Sequence, residues 1–280
     1  MWDKAVGRRR LSCAHVPLPN CRMDATNCTQ RLGLLAQQLR LYKPPSSPSS
    51  SSDEEDKEDS GQVVSEVGIA ESAAATIPKP SKFRPKKAAV FVCLFEDQAG
   101  DLRVILTKRS SNLPTHSGEV SFPGGKAEEG DINDADTAMR EAEEEIGLDR
   151  SLVKVATVME PFLSKHLLRV VPVIGILSDR KAFKPALNTA EVEAIFDAPL
   201  EMFLKDENRR SEEREYLGMK YLIHFFDFEA ENEKYLIWGL TAGILIRAAS
   251  IVFQRPPAFL EQRIPSRAPK AAVEGAKPIG

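Results

Sequence analysis

Apolar positions along this chain change their period several times, and each change marks a new element. Residues 88–95 (AAVFVCLF) and 102–106 (LRVIL) are short runs rich in β-branched and aromatic side chains, separated by the polar residues 96–101. Runs of that length and composition predict the two strands of a hairpin. The period then lengthens. Ala135, Ala138, Met139, Ala142 and Ile146 recur at helical spacing and predict a helix over residues 133–146 with one broad apolar side. Strand character returns at 151–159, 168–177 and 192–196, after which Pro199 opens a short helix to Leu204. Residues 221–228 and 234–238 predict a second hairpin, and 239–252 a mostly apolar helix. That last stretch is broken by Arg247 and too short to span a bilayer, so it predicts a buried helix and no membrane segment. Strands interrupted by segregated helices indicate an α/β layered domain, not a regular βαβ repeat.

The flanks differ in kind. The first 22 residues hold Lys4, Arg8, Arg9, Arg10 and Arg22 against Asp3, the Arg-rich and acid-poor composition of a mitochondrial presequence. A cytoplasmic protein with a basic tail is the alternative. Leu32, Leu34, Leu35, Leu39 and Leu41 give residues 28–41 helical spacing. Pro44, Pro45, a serine tract and the acidic run 53–59 follow, and few of these side chains can offset the entropy of ordering them. Residues 23–85 are therefore expected to form a largely disordered linker with one short helix, residues 263–280 a disordered tail, and residues 86–262 the folded domain. With 42% hydrophobic residues the chain has ample material for one core. The 38 basic and 41 acidic residues nearly cancel, which argues against a nucleic-acid-binding face. Cys13, Cys21, Cys28 and Cys93 match neither a disulfide scaffold nor a compact zinc site.

Residues 117–148 (SGEVSFPGGKAEEGDINDADTAMREAEEEIGL) carry the chemistry. Pro123-Gly124-Gly125 is a turn that lets backbone come close to a ligand. The helix after it presents Arg140, Glu141, Glu144 and Glu145, with the three carboxylates within one turn of each other. Like charges at that spacing repel, and Mg²⁺ or Mn²⁺, which prefer oxygen ligands, would turn the repulsion into a site. Arg140 can hold a neighbouring carboxylate in one rotamer. A plain surface helix of good helix formers is the competing reading of the charges alone.

The longer pattern resembles the signature of the Nudix hydrolases: Gly, five residues, Glu, seven residues, then Arg-Glu-apolar-x-Glu-Glu-x-Gly-apolar. Gly125, Arg140, Glu141, Ala142, Glu144, Glu145, Gly147 and Leu148 match it. Asp131 stands where the first Glu is expected, and eight residues separate it from Arg140. Both departures, with an upstream pattern at Ile105, Leu106, Thr107, Arg109, Ser110, Gly118, Phe122, Pro123, Gly124 and Gly125, resemble the coenzyme A branch of that family. Pro114 occupies the place of that pattern's internal Arg and can supply no charge. The stretches EPFLSKHLLRVVPVIGIL, AEVEAIFDAPLEMFLKDENRRSEE and YLIWGLTAGILIRAA are similar to plant members of the branch, mitochondrial ones included.

The resemblance implies an α/β/α Nudix sandwich with a mixed sheet, and hydrolysis of a small-molecule nucleoside diphosphate. It implies Mg²⁺ or Mn²⁺ at Glu141, Glu144, Glu145 and the Gly125 carbonyl, with Glu144 and Arg140 in catalysis and, as general base, either a signature Glu or a later-loop carboxylate, for which Glu191 and Glu193 are the candidates. It also implies substrate contacts at Arg109, Ser110, Gly118, Phe122 and Gly124. Coenzyme A compounds are the substrate it points to first. ADP-ribose, ADP-sugars or NADH are the alternative, and a non-catalytic nucleotide-binding module is a third. Lys108 reads equally as a phosphate contact or a surface charge. His116 and His224 lack metal-ligand partners in sequence and are expected to be structural. Trp238 and the apolar residues of 240–251 are expected in the core, as are at least two of Phe225, Phe226 and Phe228, which could otherwise line a substrate groove.

Overall fold

The computed structural model describes residues 25–44, 69–70, 86–164, 168–216 and 219–262. The expected presequence, the C-terminal tail and most of the expected linker lie outside the described residues.

The centre is β2 (Lys86–Glu96), flanked by β3 (Leu102–Arg109) running antiparallel and β8 (Leu168–Leu177) running parallel to it. Beyond β3 lies β9 (Val192–Pro199), and β4 (Val120–Ser121) pairs with the end of β3 on the edge it shares with β2, both antiparallel to it. The three-residue β5 (Gly124–Lys126) pairs with the beginning of β2. On the far side, β6 (Val153–Val158) and β7 (Phe162–Leu163) pair with β8, and β1 (Ile69–Ala70) pairs with β7. A separate sheet holds β10 (Arg209–Tyr216), β11 (Met219–Ala230) and β12 (Glu233–Trp238). The helices are α1 (Ala25–Arg40), α2 (Asp134–Ile146) and α3 (Gly239–Phe253).

Alternate residues of a strand face opposite ways, and here both faces are covered. Ala89, Phe91, Cys93 and Ile105 pack with Ala138, Ala142 and Ile146 of α2. Val92, Leu94, Val104 and Leu106 face the other way, into a cluster with Leu32 and Leu39 of α1 and Ala242 and Leu245 of α3. Burial on both faces explains why residues 88–95 read as an unbroken apolar run. Phe226 is fully buried in the second cluster and Phe228 packs against it, as expected. Trp238 stacks on Phe225, with ring centroids 5.8 Å apart.

Several expectations are corrected. The helix foreseen over 28–41 runs Ala25–Arg40 and belongs to the folded unit, with Leu32, Ala36 and Leu39 buried beneath it. Gln38 Nε2 donates to the carbonyl of Val252 at 3.1 Å, and Arg31 pairs with Glu96 at 2.6 Å, so polar contacts reinforce the apolar stripe. The strand expected over 151–159 is preceded by a 3₁₀ turn, Arg150–Leu152, because the Asp149 carboxylate accepts the Ser151 N–H. β10, with the sequence RRSEEREY, was unforeseen. Residues 210–215 are exposed and, apart from Ser211, charged, a composition that suits a sheet edge kept from pairing with other chains.

Candidate functional site

The site is built on α2 and the turn facing it. Asn133 caps the helix, its side-chain oxygen accepting the N–H groups of Ala135 and Asp136 at 3.0 Å each. Asp134 and Asp136 in the first turn favour the positive end of the helix dipole. Gly147 ends the helix in the left-handed region at φ 69°, where a β-carbon would also collide with Ala186. The chain then folds back over that end: Ala186 N–H donates to Ile146 O, and Asn188 N–H to Glu145 O at 2.9 Å. This brings Glu191 beside the helix, with its carbonyl accepting the Ser110 N–H at 2.8 Å.

Both turn glycines are needed for close approach. A β-carbon on Gly124, at φ 154°, would strike the backbone of Ala89 and Val90, and one on Gly125 would fall on the Glu141 carboxylate. The Gly124 N–H donates to Glu145 Oε2 at 3.2 Å. Glu145 is only 3% exposed, and burial, with the charges of Glu141 and Glu191 adding to it, pushes its carboxyl up to about 8. Glu141 is also raised, first by burial and then by Glu144 and Glu191, against the attraction of Arg140.

Arg140 organises the exposed side of this group. Its Nε and Nη2 hold both oxygens of Asp131 at 3.0 and 3.1 Å, and its Nη1 lies 3.2 Å from both Glu141 Oε1 and Glu144 Oε2. Nη2 also donates to Lys126 O at 3.1 Å, tying the helix to β5. Asp131 accepts further bonds from Glu128 N–H and the Thr137 hydroxyl, and Arg140 above all holds its carboxyl well below the usual range. Asp131 thus anchors Arg140. Sequence reasoning marked it only as a departure from the signature, and its signal was an acid in a loop one helical run before the arginine.

Arg109 closes the group from β3. Its Nε is buried without a hydrogen-bond partner, and its charge acts on Glu145. Lys108 points elsewhere, with its ammonium 2.7 Å from Glu193. That pair distinguishes the two candidate bases: Glu191 neighbours Glu141 and Glu145 electrostatically, whereas Glu193 is ion-paired to Lys108, which holds it below its ordinary value. Phe122 is 3% exposed and part of the core behind the turn. Ser110 is 4% exposed and serves the site through its backbone bond to Glu191. Gly118, at φ 71°, lies exposed in the loop between β3 and β4 and donates to Arg109 O at 3.1 Å. His116 pairs with Glu119 at 2.8 Å, and His224 Nε2 bonds to Glu261 O at 2.7 Å, so both are structural.

Among the described residues no three Asp, Glu, His or Cys side chains converge as a preformed ion cage. The donor chemistry nevertheless suits a hard divalent cation: Glu141 and Glu145 are carboxylates held under glycine backbone, and burial with mutual repulsion disfavours their charged forms. A cavity of about 250 Å³ lies elsewhere, among Arg103, Ile105, Arg180, Asp197 and Tyr235. Ile105 precedes Arg109 by four residues on β3, so this cavity is on the order of 13 Å from the carboxylates' end of the strand.

Comparison with known proteins gives concordant results. The family model described as the NUDIX domain matches residues 85–218. The mitochondrial Nudix hydrolase 15 of Arabidopsis thaliana is 69% identical over 205 residues, covering 73% of this chain and 72% of the relative. The chloroplastic Nudix hydrolase 22 of the same plant is 64% identical over 238 residues, covering 84% and 77%. The peroxisomal coenzyme A diphosphatase NUDT7 of Mus musculus is 33% identical over 181 residues, covering 64% and 75%.

Proposed function

The chain belongs to the Nudix hydrolase family, and from that premise we propose that it hydrolyses the pyrophosphate bond of a nucleoside-diphosphate compound at the group formed by α2, β5 and Glu191. The observation that carries the reading is the buried Glu145 beneath the Gly124 N–H, beside Glu141 and Glu191 and within reach of the charge of Arg109, whose Nε has no hydrogen-bond partner. Such a cluster has more negative charge than its own arginines balance.

Glu141, Glu144, Glu145 and the Gly125 carbonyl are the donors proposed for Mg²⁺ or Mn²⁺, which, when bound, neutralises the diphosphate and acidifies a water. Arg140 keeps Glu141 and Glu144 oriented through its anchor on Asp131. Arg109 receives a phosphate oxygen, and its buried Nε gains the partner it lacks. Glu191 accepts the proton of the attacking water, since Glu145 is assigned to the cation and Lys108 occupies Glu193.

For the remainder of the substrate, ADP-ribose, ADP-sugars and NADH are placed ahead of coenzyme A. The loop of residues 110–118 contains Pro114 where the coenzyme A pattern has Arg, and no Lys or Arg at all, so it offers no such cation to the additional 3′-phosphate of coenzyme A. Coenzyme A is kept as the second reading because of Arg109 and Gly118 and because a 33% identical relative carries the name coenzyme A diphosphatase. Parallel assays of ADP-ribose, NADH, coenzyme A and an acyl-coenzyme A, with products identified by mass, are the test. AMP from ADP-ribose supports the first reading, adenosine 3′,5′-bisphosphate as the principal product reverses the order, and no hydrolysis with either metal rejects both. Residues 1–22 are proposed as a mitochondrial presequence, supported by the name of the 69% identical relative; a reporter fused to them that stays cytosolic would refute this.

A further inference from the structure

The residues that approach the carboxylates from the β3 side hang on a very short strand. β4 has two residues, yet Arg109 and the loop of 110–118 lie just before it and Gly124 four residues after Val120. On one edge β4 is fixed by β3, through the pairs Thr107↔Ser121 and Lys108↔Val120 and the bond from Arg109 N–H to Glu119 O at 2.9 Å. The Thr107 hydroxyl adds bonds to Ser121, at 3.2 Å to its carbonyl and 3.0 Å to its hydroxyl. In an antiparallel pair the residue between two bonded positions turns its backbone groups outward. Val120 is that residue, and its carbonyl meets the Thr241 hydroxyl at 3.0 Å.

Thr241 sits in the first turn of α3, where a threonine hydroxyl has no preceding helical carbonyl to bond and is free to donate outward. The helix that presents it is itself held at several points. Gln38 of α1 bonds the Val252 carbonyl at 3.1 Å, and Arg247 bonds Glu160 at 2.5 Å. Residues 239–253 also lie beyond the stretch matched by the family model.

We propose that Thr241 is a positioning residue for hydrolysis: by holding the outward carbonyl of Val120 it sets β4, and through β4 it places Arg109 and the Gly124–Gly125 turn relative to Glu141 and Glu145. Thr241 touches neither substrate nor the carboxylates. The inference rests on the pyrophosphatase reading for its consequence and on the Val120 bond for its cause, and the two can be tested separately.

Thr241→Val removes the hydroxyl and keeps the shape, whereas Thr241→Ser keeps the hydroxyl. Expected for Thr241→Val is a fall in kcat of about 10- to 100-fold with KM little changed, together with faster amide exchange in the peptide 119–126. Thr241→Ser is expected to restore both. Gln38→Leu, at the other end of α3, controls for general loosening and should lower Tm without the kcat loss. The inference is overturned if Thr241→Val keeps wild-type kcat, if Thr241→Ser is equally impaired, or if Gln38→Leu loses as much kcat at the same loss of Tm. Should wild-type protein hydrolyse none of the diphosphates, the function reading fails, and amide exchange over 119–126 decides by itself whether Thr241 holds β4.

Discussion

The two faces of the central sheet each bury ionisable groups, and they do so to opposite ends. Behind the sheet, Glu160 is 3% exposed and fully answered: Arg247 Nε bonds one oxygen at 2.5 Å and the Tyr42 hydroxyl bonds the other. Burial, then the bond to Glu160, pushes the Tyr42 hydroxyl up to about 12, so it stays a donor at any physiological pH. In front, Arg140 pairs with Asp131, Glu141 and Glu144, and Arg109 acts on Glu145 but leaves its Nε unbonded, so among the described residues five carboxylates of the group share these two arginines. A network that closes on itself stabilises a fold. One left with excess negative charge stores a cost that a bound cation and an anionic substrate can relieve.

Removing charge from the open network tests this with the largest effect. Glu145→Gln should lower kcat by roughly 10³-fold and at the same time stabilise the metal-free protein at alkaline pH. The sign follows from the raised carboxyl. Between the ordinary value of 4.5 and about 8, the unfolded chain has already lost a proton that folded Glu145 keeps. Stability therefore falls as pH rises through that window, and the penalty is complete above it. Glutamine has no such dependence, so the Tm advantage of the variant in EDTA should be small at pH 5 and larger at pH 8.5. An advantage equal at both pH values would mean that the wild-type charge costs nothing.

The closed network should respond in the reverse sense. Arg247→Leu leaves Glu160 buried without its cation and should cost about 3 kcal/mol of stability by chemical denaturation, with kcat per folded molecule unchanged. Replacing Glu160 by Leu as well should recover most of that loss, because an apolar pair fills the space without a stranded charge. A double variant no more stable than Arg247→Leu would show that the pair holds more than itself.

How much of this was legible in the sequence depended on whether the signal was local. β2, β3, α2 and α3 each carry their period within their own residues, and they occur close to where the pattern places them. β4 and β5 have no period to read, being two and three residues long, and exist because β3 and β2 offer free edges to pair with. The helical stripe of α1 was visible in Leu32 and Leu39, but a stripe shows only that a face needs cover and not which elements supply it. At the site, the carboxylates of α2 followed from the signature. The separation of Glu191 from Glu193 did not, because it comes from a register shift at Lys108/Arg109 where β3 meets β9. The burial of Phe122 was not legible for a related reason: which way an aromatic residue beside a glycine turn faces depends on the strand's orientation.

The smallest effect separates the two faces by their helix starts. α3 begins at Trp238 with no side-chain cap, whereas α2 begins at Asn133, whose oxygen takes two N–H groups. If the front face uses its cap to hold position as well as to stabilise, then Asn133→Ala should do two separable things. It should cost about 1 kcal/mol, seen as a shift in denaturation midpoint at constant m. It should also loosen the loop that carries Asp131, since that carboxylate is held at the helix's first turn by the Thr137 hydroxyl at 2.8 Å and by Arg140. Asn133→Asp preserves an accepting oxygen and should keep both properties. A modest kcat loss in Asn133→Ala alone, measured where the protein is fully folded, is the expected outcome. Equal kcat in all three proteins would show that Arg140 is anchored firmly enough by Asp131 for the cap to matter to stability only.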